Sequence, residues 1–106
     1  MVTIYALIDP RNNEPFYIGK TRIALDIRLN RHYNQAFDHD TLRQALYVKN
    51  RKMKMQEIIN SGNEIEMMPL LVCPIKASAK AERHIYQLLI SYGFTLYQNP
   101  SIRNDR

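Results

Sequence analysis

The sequence predicts a small α+β domain in which a three-stranded antiparallel sheet is flanked by helices. Two tyrosine-bearing segments, residues 4–6 and 16–19, are typical of strands, and a turn-rich insert separates them. Apolar residues recur at helical spacing in residues 25–36 and again in residues 81–92. Between these helical stretches, residues 64–73 form a third strand-like run that a proline ends.

The first two strands are predicted at residues 3–8 and 16–19. The insert between them contains two prolines, two asparagines and an aspartate, which are residue types that favour tight turns. We therefore expect an antiparallel hairpin that brings Tyr5 and Tyr17 to one edge of the sheet. By themselves, two strand tyrosines indicate only ordinary sheet packing, because tyrosine is common in strands.

A long helix is predicted to begin at Thr21 or Arg22 and to end near Phe37. His32 falls within its apolar stripe and Arg28 lies on the edge of that stripe, so both side chains should face the rest of the domain. The apolar stripe consists of Leu25, Leu29, Tyr33 and Ala36.

Two shorter helices are predicted next, from residue 41 to about residue 47 and from residue 51 to residue 60. The basic run at residues 49–52 is interpreted as the break between them, and Gly62 favours a helix end. The side chains expected to point inward from the first of these helices are Leu42, Ala45 and Leu46.

A final helix is predicted from about Ser78 to Tyr92, after Pro74 ends the third strand and before Gly93. Glu82 lies on the rim of its apolar stripe, so its carboxylate can point along the edge of the sheet. The residues of this stripe are Ala81, Ile85, Leu88, Leu89 and Tyr92.

The composition favours a nucleic-acid partner. The 106 residues suffice for one hydrophobic core, so residues 1–106 are interpreted as a single domain, and the net charge of +5 favours a polyanion. Cys73 is the only cysteine, which excludes an internal disulfide, disfavours a zinc finger and predicts a buried thiol. No stretch has the pattern of a membrane span or a signal peptide, so a reducing cytoplasm is the expected compartment.

Several polar and aromatic residues occur in an order that suits phosphodiester chemistry. Each has an ordinary explanation when taken alone: Arg28 as a solvated helix residue, His32 as a core histidine and Glu82 as a surface charge. Their joint order carries the functional argument. The residues are Tyr5, Tyr17, Lys20, Arg28, His32, Glu82 and Asn99.

This order and spacing resemble the GIY-YIG nuclease family across nearly the whole chain. Ile4-Tyr5 matches the end of the first family tripeptide, and Tyr17-Ile18-Gly19 reproduces the second. Thr3 occupies the place of the glycine of the first tripeptide, so that motif matches at two of its three positions. The fold implied by the resemblance agrees with the elements predicted above.

The resemblance implies an endonuclease that hydrolyses phosphodiester bonds in DNA at a site with one Mg²⁺ or Mn²⁺ ion. Glu82 is the implied metal ligand, since a carboxylate is a hard oxygen donor that such ions prefer. Arg28 would hold the scissile phosphate with its planar donor fork. Tyr5 and Tyr17 would position or activate water, with Tyr5 the better candidate for activation.

Other matched residues are expected to support this site. A phenol with a pKa near ~10 needs help to act as a base, and Lys20 and His32 are the available helpers. Asn99 is expected to brace the site. Four cations form a basic patch, namely Lys49, Arg51, Lys52 and Lys54. This patch either follows the phosphate backbone or forms a solvated helix face.

The same residues allow other interpretations. Thr3 supports an alternative in which a nuclease-like domain binds nucleic acid or protein without catalysis, whereas no residue set supports a small-molecule enzyme. Gly19-Lys20-Thr21 mimics the end of a nucleotide-binding loop, but Glu14 stands where that loop needs a glycine. The residues do not distinguish DNA from RNA, and they leave room for a homodimer or a separate DNA-recognition partner.

Overall fold

The computed structural model describes residues 1–38 and 45–98. Over these residues the chain forms three strands and three helices, which confirms the predicted α+β class with an antiparallel sheet flanked by helices. Within the same ranges, no helix has the length and apolar character needed to cross a bilayer. In chain order the elements are β1 (Val2–Asp9), β2 (Glu14–Thr21), α1 (Leu25–Ala36), α2 (Leu46–Asn60), β3 (Glu66–Cys73) and α3 (Ile75–Ser91).

The first strand of the chain lies at the centre of the sheet, because the strand order is β2-β1-β3. Both neighbours run antiparallel to β1, and Tyr5 lies opposite Gly19 on β2 and opposite Pro69 on β3. The turn between β1 and β2 uses Asn13 at a φ of 60°, a left-handed conformation that asparagine tolerates. Its N–H donates to the Asp9 carbonyl at 2.8 Å. The predicted hairpin is therefore confirmed.

A β-bulge in β2 places two successive aromatic residues on the same side of the sheet. Leu7 pairs with Tyr17 whereas Ile8 pairs with Pro15, so Phe16 is the extra residue on β2. Phe16 is buried in the same core as Leu7, and Tyr17 packs against that core. Tyr17 shares the face of Tyr5 through regular pairing, since its partner Leu7 lies two residues from Tyr5, and the bulge adds Phe16 to that face.

Helices cover both faces of the sheet, and almost all of β1 is buried as a result. Alternate residues of β1 enter two different cores, as the period of a strand requires. One core lies between the sheet and α3 and includes Ile4, Ala6, Ile8, Ile18, Ala81, Ile85 and Leu89. The other lies between the sheet and α1 and α2 and includes Tyr5, Leu7, Phe16, Leu29, Tyr33, Ala36, Met55 and Ile58.

The outer edge of β2 is covered by the segment that follows α3. The N–H of Tyr97 donates to the carbonyl of Phe16 at 2.8 Å, and the N–H of Ile18 donates to Oε1 of Gln98 at 2.6 Å. Gln98 is buried. Backbone groups that an edge strand would leave open are thus satisfied here, which fixes β2 and the tyrosine it carries.

A buried carboxylate ties the β1–β2 turn to α2. Asp9, whose side chain is 2% exposed, accepts hydrogen bonds from the Arg11 guanidinium at 2.8 and 3.0 Å and from the Arg11 backbone N–H at 2.9 Å. Nζ of Lys54 lies 2.8 Å from the same carboxylate, and Arg11 also pairs with Glu57 at 2.9 Å. The hydrogen bonds from Arg11, followed by those from Lys54, hold the pKa of Asp9 well below its usual range although burial opposes them.

The starts of two helices differ from the predictions. Helix α1 begins at Leu25 because Thr21 still pairs with Thr3 in the sheet. Helix α3 begins at Ile75, directly after the proline, and the hydroxyl of Ser78 donates to the Ile75 carbonyl at 2.8 Å inside the helix. Ser78 was expected to start this helix, but its hydrogen bond reaches back along the first turn and caps no free N–H.

The predicted break within α2 is wrong. Residues 49–52 lie inside one continuous helix, since lysine and arginine are good helix formers and neither glycine nor proline interrupts the run. Ala45 and Leu46 are exposed, with Leu46 at 72%, so they do not point inward as expected. The remainder of the predicted short helix, including Leu42, lies outside the described residues.

The apolar stripe of α3 is only partly as predicted. Leu88 and Tyr92 are exposed, because the buried stripe includes Tyr86 and is rotated accordingly around the helix. Cys73 is buried, as expected for a small apolar side chain at the end of β3. The members of the predicted stripe that do pack against the sheet are Ala81, Ile85 and Leu89.

Candidate active site

Three aromatic rings meet on the face of the sheet that α1 and α2 cover. The ring centroids of Tyr5 and Tyr17 lie 6.3 Å apart, and the His32 ring stands edge-on to both rings at 5.8 and 5.4 Å. The tyrosines come from adjacent strands, and His32 comes from the apolar stripe of α1. The structure thus brings three of the sequence-predicted site residues into one cluster.

Gly19 leaves the space into which both phenol rings fit. A β-carbon at position 19 would lie 2.5 Å from Cζ of Tyr5 and 2.8 Å from Cε2 of Tyr17, well inside van der Waals contact. Thr3 pairs with Thr21 instead, one side-chain repeat further along the hairpin. The close approach at Tyr5 therefore depends on the glycine of the second tripeptide, and Thr3 does not occupy that space.

Tyr5 and His32 form a buried hydrogen bond, with 2.7 Å between the phenol oxygen and Nε2. Burial, reinforced by the positive charges of Arg28 and Arg51, lowers the pKa of His32 to about 3. Burial also raises the pKa of Tyr5 above its usual range, with the charge of Tyr17 adding to the shift and Arg28 opposing it. At neutral pH the pair therefore consists of a neutral phenol and a neutral imidazole, and the tautomer of His32 sets which of the two donates.

We predict that His32 makes the protein lose stability in mild acid. The pKa of His32 is lower in the folded chain than in the unfolded chain, so its contribution is present above about pH 6.5 and is lost as pH falls toward 3. The free energy of unfolding should fall by roughly 1.4 kcal/mol per pH unit in this window. Urea unfolding between pH 4 and pH 8 measures that slope.

The matched variants for this measurement are His32→Gln and His84→Gln. His84 is exposed, so its replacement should retain the slope, whereas His32→Gln should flatten it. Equal slopes in the parent and in His32→Gln would show that another group controls acid stability.

Two arginines approach the aromatic cluster from different helices. The guanidinium of Arg51 on α2 lies 4.7 Å from the centroid of the Tyr17 ring, a cation–π contact. Arg28 on α1 is close enough that its charge lowers the pKa values of Tyr5 and His32. The sequence placed Arg51 only in a basic patch, because the helix break predicted at residues 49–52 hid its position on one continuous helix face.

Glu82 lies on α3, the helix that packs on the opposite side of the sheet. Its negative charge raises the pKa of Tyr17, which burial raises most strongly and which Arg51 and Arg28 lower. Burial raises the pKa of Glu82 itself, and the charge of Lys20 opposes that shift. Glu82 therefore lies near enough to Tyr17 to act on it through charge, as Lys20 acts on Glu82, and their place in one active site stays a prediction.

The residues present fit a metal ion that keeps most of its water ligands. Within residues 1–38 and 45–98, no three side chains of the metal-binding types His, Cys, Asp and Glu come together as a candidate site. Within those ranges Glu82 forms neither a hydrogen bond nor an ion pair, so its half-buried carboxylate oxygens are available. Mg²⁺ is commonly held by one or two carboxylates, with water and substrate phosphate completing the shell. The donor set therefore suits a single hard cation and does not suit a closed protein cage.

The remaining predicted residues lie in different surroundings. Lys54 is paired with Asp9, and Lys52 is buried and donates to the Asp38 carbonyl at 3.3 Å, so neither presents an open ammonium to a phosphate backbone. Lys49 is partly exposed on α2. Asn99 lies outside the described residues.

The family model for the GIY-YIG catalytic domain matches residues 1–92 of the chain. This range includes the six described residues of the predicted constellation and both helices that carry the arginines. No curated protein and no solved structure matches the chain significantly.

Proposed function

The chain belongs to the GIY-YIG family of nucleases, and on that premise we propose that it is an endonuclease that hydrolyses phosphodiester bonds in DNA with one divalent metal ion. The observation that carries the proposal is the convergence of Tyr5, Tyr17 and His32 beside two arginines and one carboxylate. Hydrolysis of a phosphodiester requires a positioned water, a proton acceptor and cations near the phosphate oxygens. The net charge of +5 is consistent with a polyanionic substrate.

We assign water activation to Tyr5 because Tyr5 is the tyrosine that is hydrogen-bonded to His32. The attacking water would give its proton to the Tyr5 oxygen while Tyr5 passes its own proton to Nε2 of His32. A phenolate need not form beforehand, which agrees with the raised pKa of Tyr5 and with the neutral state of His32. The imidazolium formed in this way would be stabilised by the negative charge that develops on the phosphate.

The other residues have roles that follow from their charge and position. Arg28 would bind the scissile phosphate through its planar fork, and Tyr17 would orient the water or the phosphate. Glu82 would hold one Mg²⁺ or Mn²⁺ ion, which when bound offsets charge on the phosphate and on the leaving oxygen. Lys20 favours the ionised form of Glu82, which is the form that binds a metal.

The test is cleavage of end-labelled DNA of several shapes, namely duplex, flap, bubble and branched DNA, with Mg²⁺, with Mn²⁺ and with a chelator. We expect cleavage that requires the metal and that falls roughly 10²-fold in Glu82→Ala and in Arg28→Ala, the range found when one electrostatic contact to a transition state is removed. Glu64→Ala, which removes an exposed carboxylate outside the site, is the control and should cleave normally.

Cleavage that persists unchanged in both site variants would refute the proposal. Calorimetric titration with Mg²⁺ separates it from the alternative of a binding module without catalysis. Such a module has no need for a metal at Glu82 and would show salt-sensitive DNA binding alone.

A further inference from the structure

A groove lies at the open end of the hairpin, where β1 begins and β2 ends, and of its lining residues only Lys20 and Arg28 have a role in the reaction scheme above. It has a volume of about 380 Å³ and runs between α1 and the start of α3. Ile23 and Ile75, which are both exposed, contribute apolar surface to it. We call it the basic groove, because four of its lining residues are Lys20, Arg22, Arg28 and Arg31.

Lys20 interacts with the charge of Glu82, but two other cations of the basic groove, Arg22 and Arg31, have no acidic partner within the described residues. No carboxylate is among its described lining residues, and neither Arg22 nor Arg31 forms an ion pair within residues 1–38 and 45–98. Four like charges around one cavity repel each other, and a bound anion removes that repulsion. The groove therefore has the electrostatic character of an anion site.

The basic groove is continuous with the candidate active site. Arg28 lines the groove and also lies close enough to Tyr5 and His32 to lower their pKa values. Lys20 lines the groove and also acts on Glu82. A nucleic-acid strand whose scissile phosphate lies at Arg28 would therefore run directly into the groove on one side.

We propose that the basic groove binds the phosphate next to the scissile phosphate on the same DNA strand, a step that rests on the proposed nuclease function. Arg22 and Arg31 would bind the phosphate oxygens, and the apolar surface of Ile23 and Ile75 would lie against the deoxyribose. Phosphate contacts of this kind fix the register of a strand without reading its sequence. The groove would thus set which bond of the strand meets the tyrosines.

The experiment replaces single phosphates of the DNA with uncharged methylphosphonates, one position at a time, and measures binding. Glu82→Gln is used as the parent so that no strand is cut, and it is compared with the same protein carrying Arg22→Ala and Arg31→Ala. We expect the methylphosphonate next to the cleavage position to weaken DNA binding by the parent about tenfold. It should weaken DNA binding by the double variant less than twofold. The slope of log affinity against log salt should also become shallower by about 0.7 to 0.9 in the double variant, as expected for one lost phosphate contact.

Lys80→Ala is the control, since it removes an exposed cation from α3 outside the groove and should leave the methylphosphonate profile unchanged. The groove proposal would be wrong if affinity depended on the methylphosphonate position in the same way in the parent and the double variant, or if no DNA binding could be measured. If the protein with Glu82 intact cleaves DNA, but the methylphosphonate weakens binding of the parent and the double variant equally, the groove proposal is wrong and the nuclease function stands. If one methylphosphonate weakens binding of the parent more than binding of the double variant, but the protein with Glu82 intact cuts no DNA, the groove proposal is supported and the nuclease function is wrong.

Discussion

Replacing Gly19 with alanine is expected to lower DNA cleavage roughly 10²- to 10³-fold and to destabilise the fold by about 1–3 kcal/mol. The new β-carbon would lie 2.5 Å from Cζ of Tyr5 and 2.8 Å from Cε2 of Tyr17, so each ring must move by about an ångström. Tyr5 is fully buried on the central strand, which prevents a simple swing into solvent. A displacement of this size changes the distance from the phenol to both His32 and the attacking water, and such misplacement is costly in catalysis.

The measurements are single-turnover cleavage and urea unfolding, and the matched control is Gly62→Ala. Gly62 has a φ of 86° and no atom near its added β-carbon, so the substitution strains the backbone in a loop away from the site. The control should lose about 1 kcal/mol of stability while cleavage at a permissive temperature stays within twofold. If Gly19→Ala cleaves as fast as the control, the two rings do not need their present positions.

Replacing Asp9 with alanine is expected to cost about 2–3 kcal/mol, because it removes charge-assisted hydrogen bonds, whereas the Arg11 and Lys54 side chains left behind are 31% and 20% exposed and can be solvated. The substitution leaves Lys54 without its partner at the end of β1 and removes the hydrogen bonds that Asp9 accepts from Arg11. Asp9→Asn keeps the shape and part of the hydrogen bonding, so it should lie between the alanine variant and the parent. Urea unfolding at pH 7 measures all three.

Glu64→Ala is the matched control for Asp9, because it removes an exposed carboxylate and should change stability by less than about 0.5 kcal/mol. A cost below about 1 kcal/mol for Asp9→Ala would show that the ion pairs around Asp9 do little to hold the turn against α2. The folded pKa of Asp9 is depressed, so this contribution is present above about pH 3.8 and is lost in stronger acid. The loss of stability attributed to His32 begins at a higher pH than the loss attributed to Asp9, so measuring stability against pH separates the two effects.

The parts of the fold that depend on local chemistry could be predicted from the sequence. Turn residues between two strand segments gave the hairpin, and the spacing of Leu25, Leu29 and Tyr33 placed His32 on the inner face of α1. Helix starts were less predictable, because Thr21 is held in β2 by pairing with a distant strand. The bulge at Phe16 also depends on long-range pairing, and no local pattern marks it.

The candidate site was predictable where a residue lies in a recognisable motif. Tyr5 and Tyr17 belong to such motifs, and the structure brings them together with His32. Arg51 was missed as a neighbour of Tyr17, since a basic residue in a basic run ordinarily indicates a solvated face. The signal that could have found it is the position of Arg51 in one continuous helix, one turn before the apolar and buried Met55.

The central position of β1 also sets the order in which the chain can complete its sheet. β1 can pair with β2 through a short turn, but β3 begins at residue 66, so the second ladder must close a far longer loop. During synthesis one edge of the strand that carries Tyr5 stays bare until residue 73 has emerged, and an open edge of this kind is prone to pair with other chains. A truncation before β3 should therefore aggregate, and refolding should recover the environment of Tyr5 only in the step that docks β3.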